Sequence, residues 1–205
     1  MRALVRYVWP ALFAVPLLGQ ENDRPEGWVA RFDHAGAPDS ALFFVSMEPG
    51  WHVTTGPRLI LYNPSMTAAG EYRLTSEILV FPDPRREAFG IFFGGENLER
   101  DNQSYLYFLI RNNGSYLVKH RAGNETHTIL PWTEHSAIAT LEGGEDPVKN
   151  VLVVEAGAEE VGFYVNGELV HSLPRSDLQV DGVVGRRVNH NLNLHVTSLA
   201  VEPRG

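Results

Sequence analysis

The sequence has no cysteine, and its bases are outnumbered: 17 Lys and Arg face 25 Asp and Glu, a formal net charge of -8 over 205 residues. The absent cysteine removes disulfide scaffolds, thiol nucleophiles, zinc ribbons and iron–sulfur centres together. The shortage of bases argues against a nucleic-acid partner, whose phosphates call for dense Lys and Arg. No apolar 3.6-residue period is sustained after residue 18, so few and short helices are expected. Repeats, low-complexity tracts and domain-dividing linkers are missing as well. What is abundant is turn chemistry, with 19 Gly and 13 Pro, and that points to an all-β chain. The length suits one domain of the larger sandwich type.

The N-terminus reads as an address. Arg2 and Arg6 precede an apolar run from Tyr7 to Leu18, and Gln20, Glu21, Asn22 and Asp23 follow. A basic start, a short apolar stretch and a polar continuation describe a secretory signal. The run falls short of the ~20 residues of a membrane span, and Pro10 and Pro16 would break a helix there. The expectation is a signal peptide over 1–19 and one β domain over 20–205, secreted or periplasmic, with no membrane attachment in the mature form. Export without cysteine favours a bacterial origin over an animal secretory route.

Alternation then marks the strands. Tyr72, Leu74, Ile78 and Val80 oppose Arg73, Thr75 and Glu77, and Leu106, Phe108 and Ile110 oppose Tyr105, Tyr107, Leu109 and Arg111. Asn113-Gly114 and Asn166-Gly167 each sit between two such runs and predict hairpins. Val151 to Glu155 fits a buried strand, and residues 189–201 read as extended to the end. Strands at this spacing make a two-sheet antiparallel sandwich.

The stretches SYLYFLIRNNGSYLVKHRAG, LPWTEHSAI and NVLVVEAGAEEVGFYVNGELV, in that order, resemble the concanavalin A-like lectin/glucanase superfamily. The likeness extends to its laminin-G-like and 3-keto-disaccharide-hydrolase-type domains. It covers roughly 100 residues and implies a jelly-roll sandwich. That fold hosts lectins, hydrolases, lyases and structural modules, so it does not fix the chemistry.

Glycoside hydrolysis calls for two carboxylates about 5–10 Å apart. The Glu-x-Asp-x-x-Glu pattern of the superfamily's glucanases is absent. Glu71 and Glu77 share a strand face, but six residues separate them by about 20 Å. There is no His-Glu-x-x-His, no Gly-x-Ser-x-Gly elbow and no phosphate-cradling glycine loop. No metal site or cofactor is therefore expected. A structural calcium held by loop Asp or Asn stays open, without EF-hand-like spacing to support it.

Residues 186–196 are the most unusual segment. Read as one strand, they put Asn189, Asn191, Asn193 and His195 on one face, although asparagine is a poor strand former. Amides match sugar hydroxyls. With Arg73, Glu77, Tyr107 and Arg111 on polar strand faces and Trp51 and His52 nearby, they predict a concave ligand-binding face. The leading expectation is a non-catalytic domain that binds a carbohydrate or similar polar ligand. A glycoside hydrolase using Glu77, Arg111 and His195 is the enzymatic alternative, and a partner-binding envelope module is the third. Nothing in the sequence indicates oligomeric state.

Overall fold

The computed structural model describes residues 24–82, 85–141 and 146–204. The expected signal peptide over 1–19 lies outside them. Alternation produces the strands where the sequence predicts it. In β5 (Tyr72–Val80) every second residue from Tyr72 is buried, and Arg73, Thr75, Glu77 and Leu79 reach partly into solvent. In β7 (Ser104–Arg111), Leu106, Phe108 and Ile110 point into the main core, while Tyr105, Tyr107 and Leu109 join a second cluster on the opposite side.

Two antiparallel sheets of seven strands result. The first sheet runs in the order β1 (Val29–Phe32), β4 (Leu59–Ala68), β13 (Gly182–Val188), β6 (Ala88–Glu96), β7, β8 (Ser115–Ala122) and β9 (Glu125–Glu134). The second runs β12 (Glu168–Pro174), β11 (Glu160–Val165), β10 (Val148–Ala156), β5, β14 (Asn193–Pro203), β3 (Trp51–Thr55) and β2 (Leu42–Ser46). Two single-turn 3-10 segments are the helical content among the described residues. This is the expected all-β jelly-roll sandwich.

Both Asn-Gly hairpins form. At Asn166-Gly167 both residues take positive φ, 51° and 88°, the conformation of the two-residue turn that matches strand twist. At Asn113-Gly114 only the glycine does, and Ser115 Oγ donates to Asn113 Oδ1 at 2.7 Å. Asn166 also pins a distant segment. Its Nδ2 donates to the Ala137 carbonyl at 2.8 Å and to Asn150 Oδ1 at 2.9 Å, and Asn150 exchanges hydrogen bonds with the backbone of Ala139 at 2.9 and 3.0 Å. Asn150 is buried at the start of β10. Removing its amide strands those backbone groups away from water, so Asn150→Ala should cost about 2 kcal/mol, readable from urea unfolding.

The single extended segment expected over 189–201 does not exist. β13 ends at Val188, β14 begins at Asn193, and Asn191 between them takes φ 51°. Asparagine enters the left-handed region at little cost, and here the chain uses it to cross from the first sheet to the second. The crossing is tied to the end of β3: Asn191 N donates to the Gly56 carbonyl at 2.8 Å, and Thr55 N to that of Leu192 at 2.9 Å. The turn resets the alternation, so the shared asparagine face is lost.

Between the sheets the rings of Phe93, Phe108 and Phe163 stack at 5.2–6.2 Å between centroids, with Phe163 supplied by the second sheet. The second cluster lies on the outer face of the first sheet. There Tyr62, Phe92, Tyr105, Tyr107, Leu109 and Leu117 are all buried, and Leu98 from the β6–β7 connection packs over them.

Candidate functional site

The residues singled out from sequence fall on different sides of the sandwich. On the outer face of the second sheet, Arg73 pairs with Glu155, and Glu77 accepts from Thr197 Oγ1 at 3.0 Å and faces Lys149 Nζ at 3.2 Å. Asn193 Oδ1 accepts from Thr54 Oγ1 at 3.3 Å. His195 lies opposite His52 in the β14–β3 ladder and donates through Nε2 to the Pro49 carbonyl at 3.0 Å. His52 packs edge-on against Phe81. Trp51 packs against the main core beside Trp28, with ring centroids 6.5 Å apart, and Asn191 occupies the turn between sheets. Of the ten, Tyr107, Arg111 and Asn189 share a cavity, on the outer face of the first sheet.

Those three line a cleft of about 190 Å³ together with Asp33, Arg58, Leu109, Leu117, Lys119, Arg121, Thr126, Trp132 and Arg187. The local folding that assembles it is simple. The hairpin at Asn113-Gly114 sets Tyr107 opposite Lys119, Tyr105 opposite Arg121 and Leu109 opposite Leu117. Two strands away in the ladder, Arg187 of β13 points to the same face, and Asp33 and Arg58 arrive from the ends of β1 and β4. A second cavity of about 290 Å³ adjoins it and shares Asp33, Arg58 and Arg121, adding His34, Pro57 and His190. Together the two reach the size of small-ligand sites, roughly 300–1,000 Å³.

Charge is unevenly spread here. Five bases and one acid face the cleft in a chain whose acids outnumber its bases. The acid is engaged: Arg187 donates through Nη1 to Asp33 Oδ1 at 2.6 Å and through Nη2 to Oδ2, a two-pronged pair. Arg187 Nη1 also donates to the Tyr105 hydroxyl at 3.2 Å. Burial works against the charge on Arg187, but the Asp33 carboxylate outweighs it and raises the guanidinium's pKa further. Burial likewise pushes Asp33 up, yet Arg187, Arg121 and Arg58 hold its carboxyl below the ordinary range. Burial lifts the Tyr105 phenol to about 12 and raises that of Tyr107 too, so both remain neutral, Tyr107 on the cleft floor and Tyr105 buried beside Arg187.

Two further bases are positioned by neutral partners. The Arg111 guanidinium lies flat over Trp132, 3.7 Å from its ring centroid, with its Nε buried and unpaired. Arg58 Nε donates to His190 Nε2 at 3.1 Å. His190 stands half-exposed at the rim, with Nδ1 3.9 Å from Glu87. The sequence signal for much of this was the hairpin itself: once Tyr107 is assigned outward, ladder pairing places Lys119 and Arg121 beside it.

Another cavity of about 300 Å³ opens on the far side of the β7–β9 region. In it Ser104 Oγ lies 2.8 Å from His120 Nε2, and burial together with His127 lowers the His120 pKa. Among the described residues no carboxylate hydrogen-bonds His120, so the orienting third member of a serine-hydrolase triad is missing. Nor do three His, Asp or Glu among the described residues converge in a way that could hold a metal ion.

No protein-family profile and no curated protein sequence matches the chain. Solved structures do. The carbohydrate-binding module CBM66 from Bacillus subtilis superposes with a TM-score of 0.63 at 14% identity, covering 86% of this chain and 95% of the module. A glycoside hydrolase family 16 endo-glucanase from Bacteroides ovatus gives 0.61 at 6% identity, over 88% and 97%. The exoplasmic/lumenal domain of VIP36 in its Ca2+/Man-bound form gives 0.54 at 9% identity, over 87% and 83%. At these identities the likeness shows the fold alone, a two-sheet jelly-roll sandwich, as the resemblance in the sequence implied.

Proposed function

We propose that this chain is an exported, non-catalytic domain that binds a carbohydrate or similar polar ligand in the outer-face cleft of its first sheet. The observation that carries the reading is the composition of that cleft. Arg58, Arg111, Lys119, Arg121 and Asn189 ring it with donors, and Tyr107, Leu109 and Leu117 give it a partly apolar floor. A sugar ring presents hydroxyl oxygens at its rim and C–H groups on its faces, and both find partners here. The fold-level likeness to a carbohydrate-binding module and a Man-bound lumenal domain adds support.

The hydrolase alternative fares worse on chemical grounds. Asp33 is the one carboxylate on the wall of this cleft, and its ion pair with Arg187 keeps it deprotonated, unfit as a general acid. Glu77 and His195 lie on the second sheet's outer face, with both sheets and the core between them and Arg111, so these three cannot share a substrate.

The test is a glycan array followed by titration calorimetry. Trp132→Ala and Arg111→Ala should each weaken the best glycan about tenfold or more, at the scale of an interface anchor, with no reducing ends released. Unchanged affinity in both variants would move the site elsewhere. Export is tested by N-terminal sequencing of the secreted protein, with cleavage before Gln20 as the expected result.

A further inference from the structure

We propose that the saccharide taken by this cleft is anionic, bearing a carboxylate or a sulfate ester that the cleft's unpaired bases receive. The inference rests on the carbohydrate reading above and narrows it. Its starting point is the division of labour among the five bases. Asp33 occupies Arg187 and lies 4.0 Å from Arg121. Arg58, Arg111 and Lys119 have no carboxylate within ion-pair distance among the described residues.

Arg58 feels Asp33 and Arg111 feels Glu87 only at longer range, so three positive charges without an ion pair surround a cavity of this size, where they repel one another and the walls restrict the water that would screen them. Elsewhere several bases meet a carboxylate: Arg73 and Arg204 share Glu155, Arg175 meets Asp181, and Lys149 meets Glu77, while the buried Arg186 has the Ser198 carbonyl and the Trp28 ring. In a chain with eight excess acids, carboxylates are plentiful, yet the cleft holds one.

Geometry adds to charge. Stacking on Trp132 fixes the plane of the Arg111 guanidinium, and its buried Nε has no partner. A planar fork held in place suits a carboxylate or sulfate, which accepts two parallel N–H bonds. Lys119, beside Tyr107 in the ladder, supplies a point charge on the same surface. A free inorganic ion would leave most of the paired cavities empty and make no use of the apolar floor. A nucleic acid would need a longer basic track than this enclosed cleft provides.

The experiment is titration calorimetry on the full protein with four probes: trigalacturonate and other oligouronates, a sulfated tetrasaccharide, methyl-esterified trigalacturonate as the neutral isostere, and sodium sulfate alone. The expected result is at least tenfold tighter binding of an acidic oligosaccharide than of its neutral counterpart, an advantage largely lost in 1 M salt. In Lys119→Gln and in Arg111→Gln/Lys119→Gln, checked for folding by thermal denaturation, the preference should fall below threefold. The ester and salt comparisons need no variant, so misfolding cannot mask the answer. Equal affinity for acid and ester overturns the charge proposal and leaves carbohydrate binding standing. Sulfate binding as tightly as the sulfated sugar overturns it in favour of a small-anion site. Failure of every saccharide, charged or neutral, removes the carbohydrate reading itself.

Discussion

Replacing Asp33 with alanine should lower folding stability by about 3–5 kcal/mol, the loss typical when one partner of a buried ion pair is removed. Arg187 is 4% exposed, its Nε already lacks a partner, and without Asp33 only the Tyr105 hydroxyl would remain to it. Chemical denaturation of Asp33→Ala beside the parent measures the effect. Asp33→Leu/Arg187→Met should recover most of the loss, because the cost lies in the stranded charge and not in a missing attraction. A pH series gives an independent reading. The folded carboxyl of Asp33 sits below its ordinary value of 3.8, so the unfolded chain takes up its proton first as the solution is acidified. The pair's contribution is therefore complete above about pH 4 and fades as the pH falls through the lower folded value. Parent and Asp33→Asn should converge in strong acid and separate above it. Parallel curves down to the lowest pH would show that the pair contributes nothing.

Truncating Phe92 should cost a similar amount, about 3–5 kcal/mol, and should also damage the cleft. Phe92 is fully buried on the first sheet's outer face, with Tyr105 and Tyr62 at 5.2 and 6.2 Å between ring centroids. Nothing small can fill the space from below: a Cβ on Gly185 already would come within 2.4 Å of the Phe92 ring. Losing the ring frees Tyr105, and with it the hydroxyl that steadies Arg187. Phe163→Ala is the control, equally buried but between the sheets against Phe93 and Phe108. Both variants should unfold earlier, while well below their melting temperatures only Phe92→Ala should lose ligand affinity. Equal affinity in the two would separate the outer cluster from binding.

Much of the fold was legible because its signals are local. Alternation along β5 and β7 and the two Asn-Gly turns each operate within ten residues, and each forms as read. The site was legible only where it stayed local. Tyr107 and Arg111 come from one strand whose parity is plain, and Lys119 and Arg121 follow from the hairpin that strand makes. Asp33 and Arg187 are 154 residues apart in sequence, and no periodicity links them. The asparagine run misled because alternation was carried through Asn191, where one left-handed residue ends a strand and sends the chain to the other sheet. Four polar residues in step thus became a connection: Asn189 at the cleft, Asn191 in the turn, and Asn193 and His195 on the far face.

The strand order has a consequence for how such a chain is made. β13 lies between β4 and β6, and β14 between β5 and β3; these are the last two in sequence of the fourteen strands among the described residues, yet each fills an interior place in its sheet. Without β13 the first sheet is not continuous, and without β14 the second is not; the four interior strands that flank them then expose unpaired edges of the kind that invite association. The nascent polypeptide must stay open until β13 and β14 arrive, the same condition that threading through a translocation pore would impose.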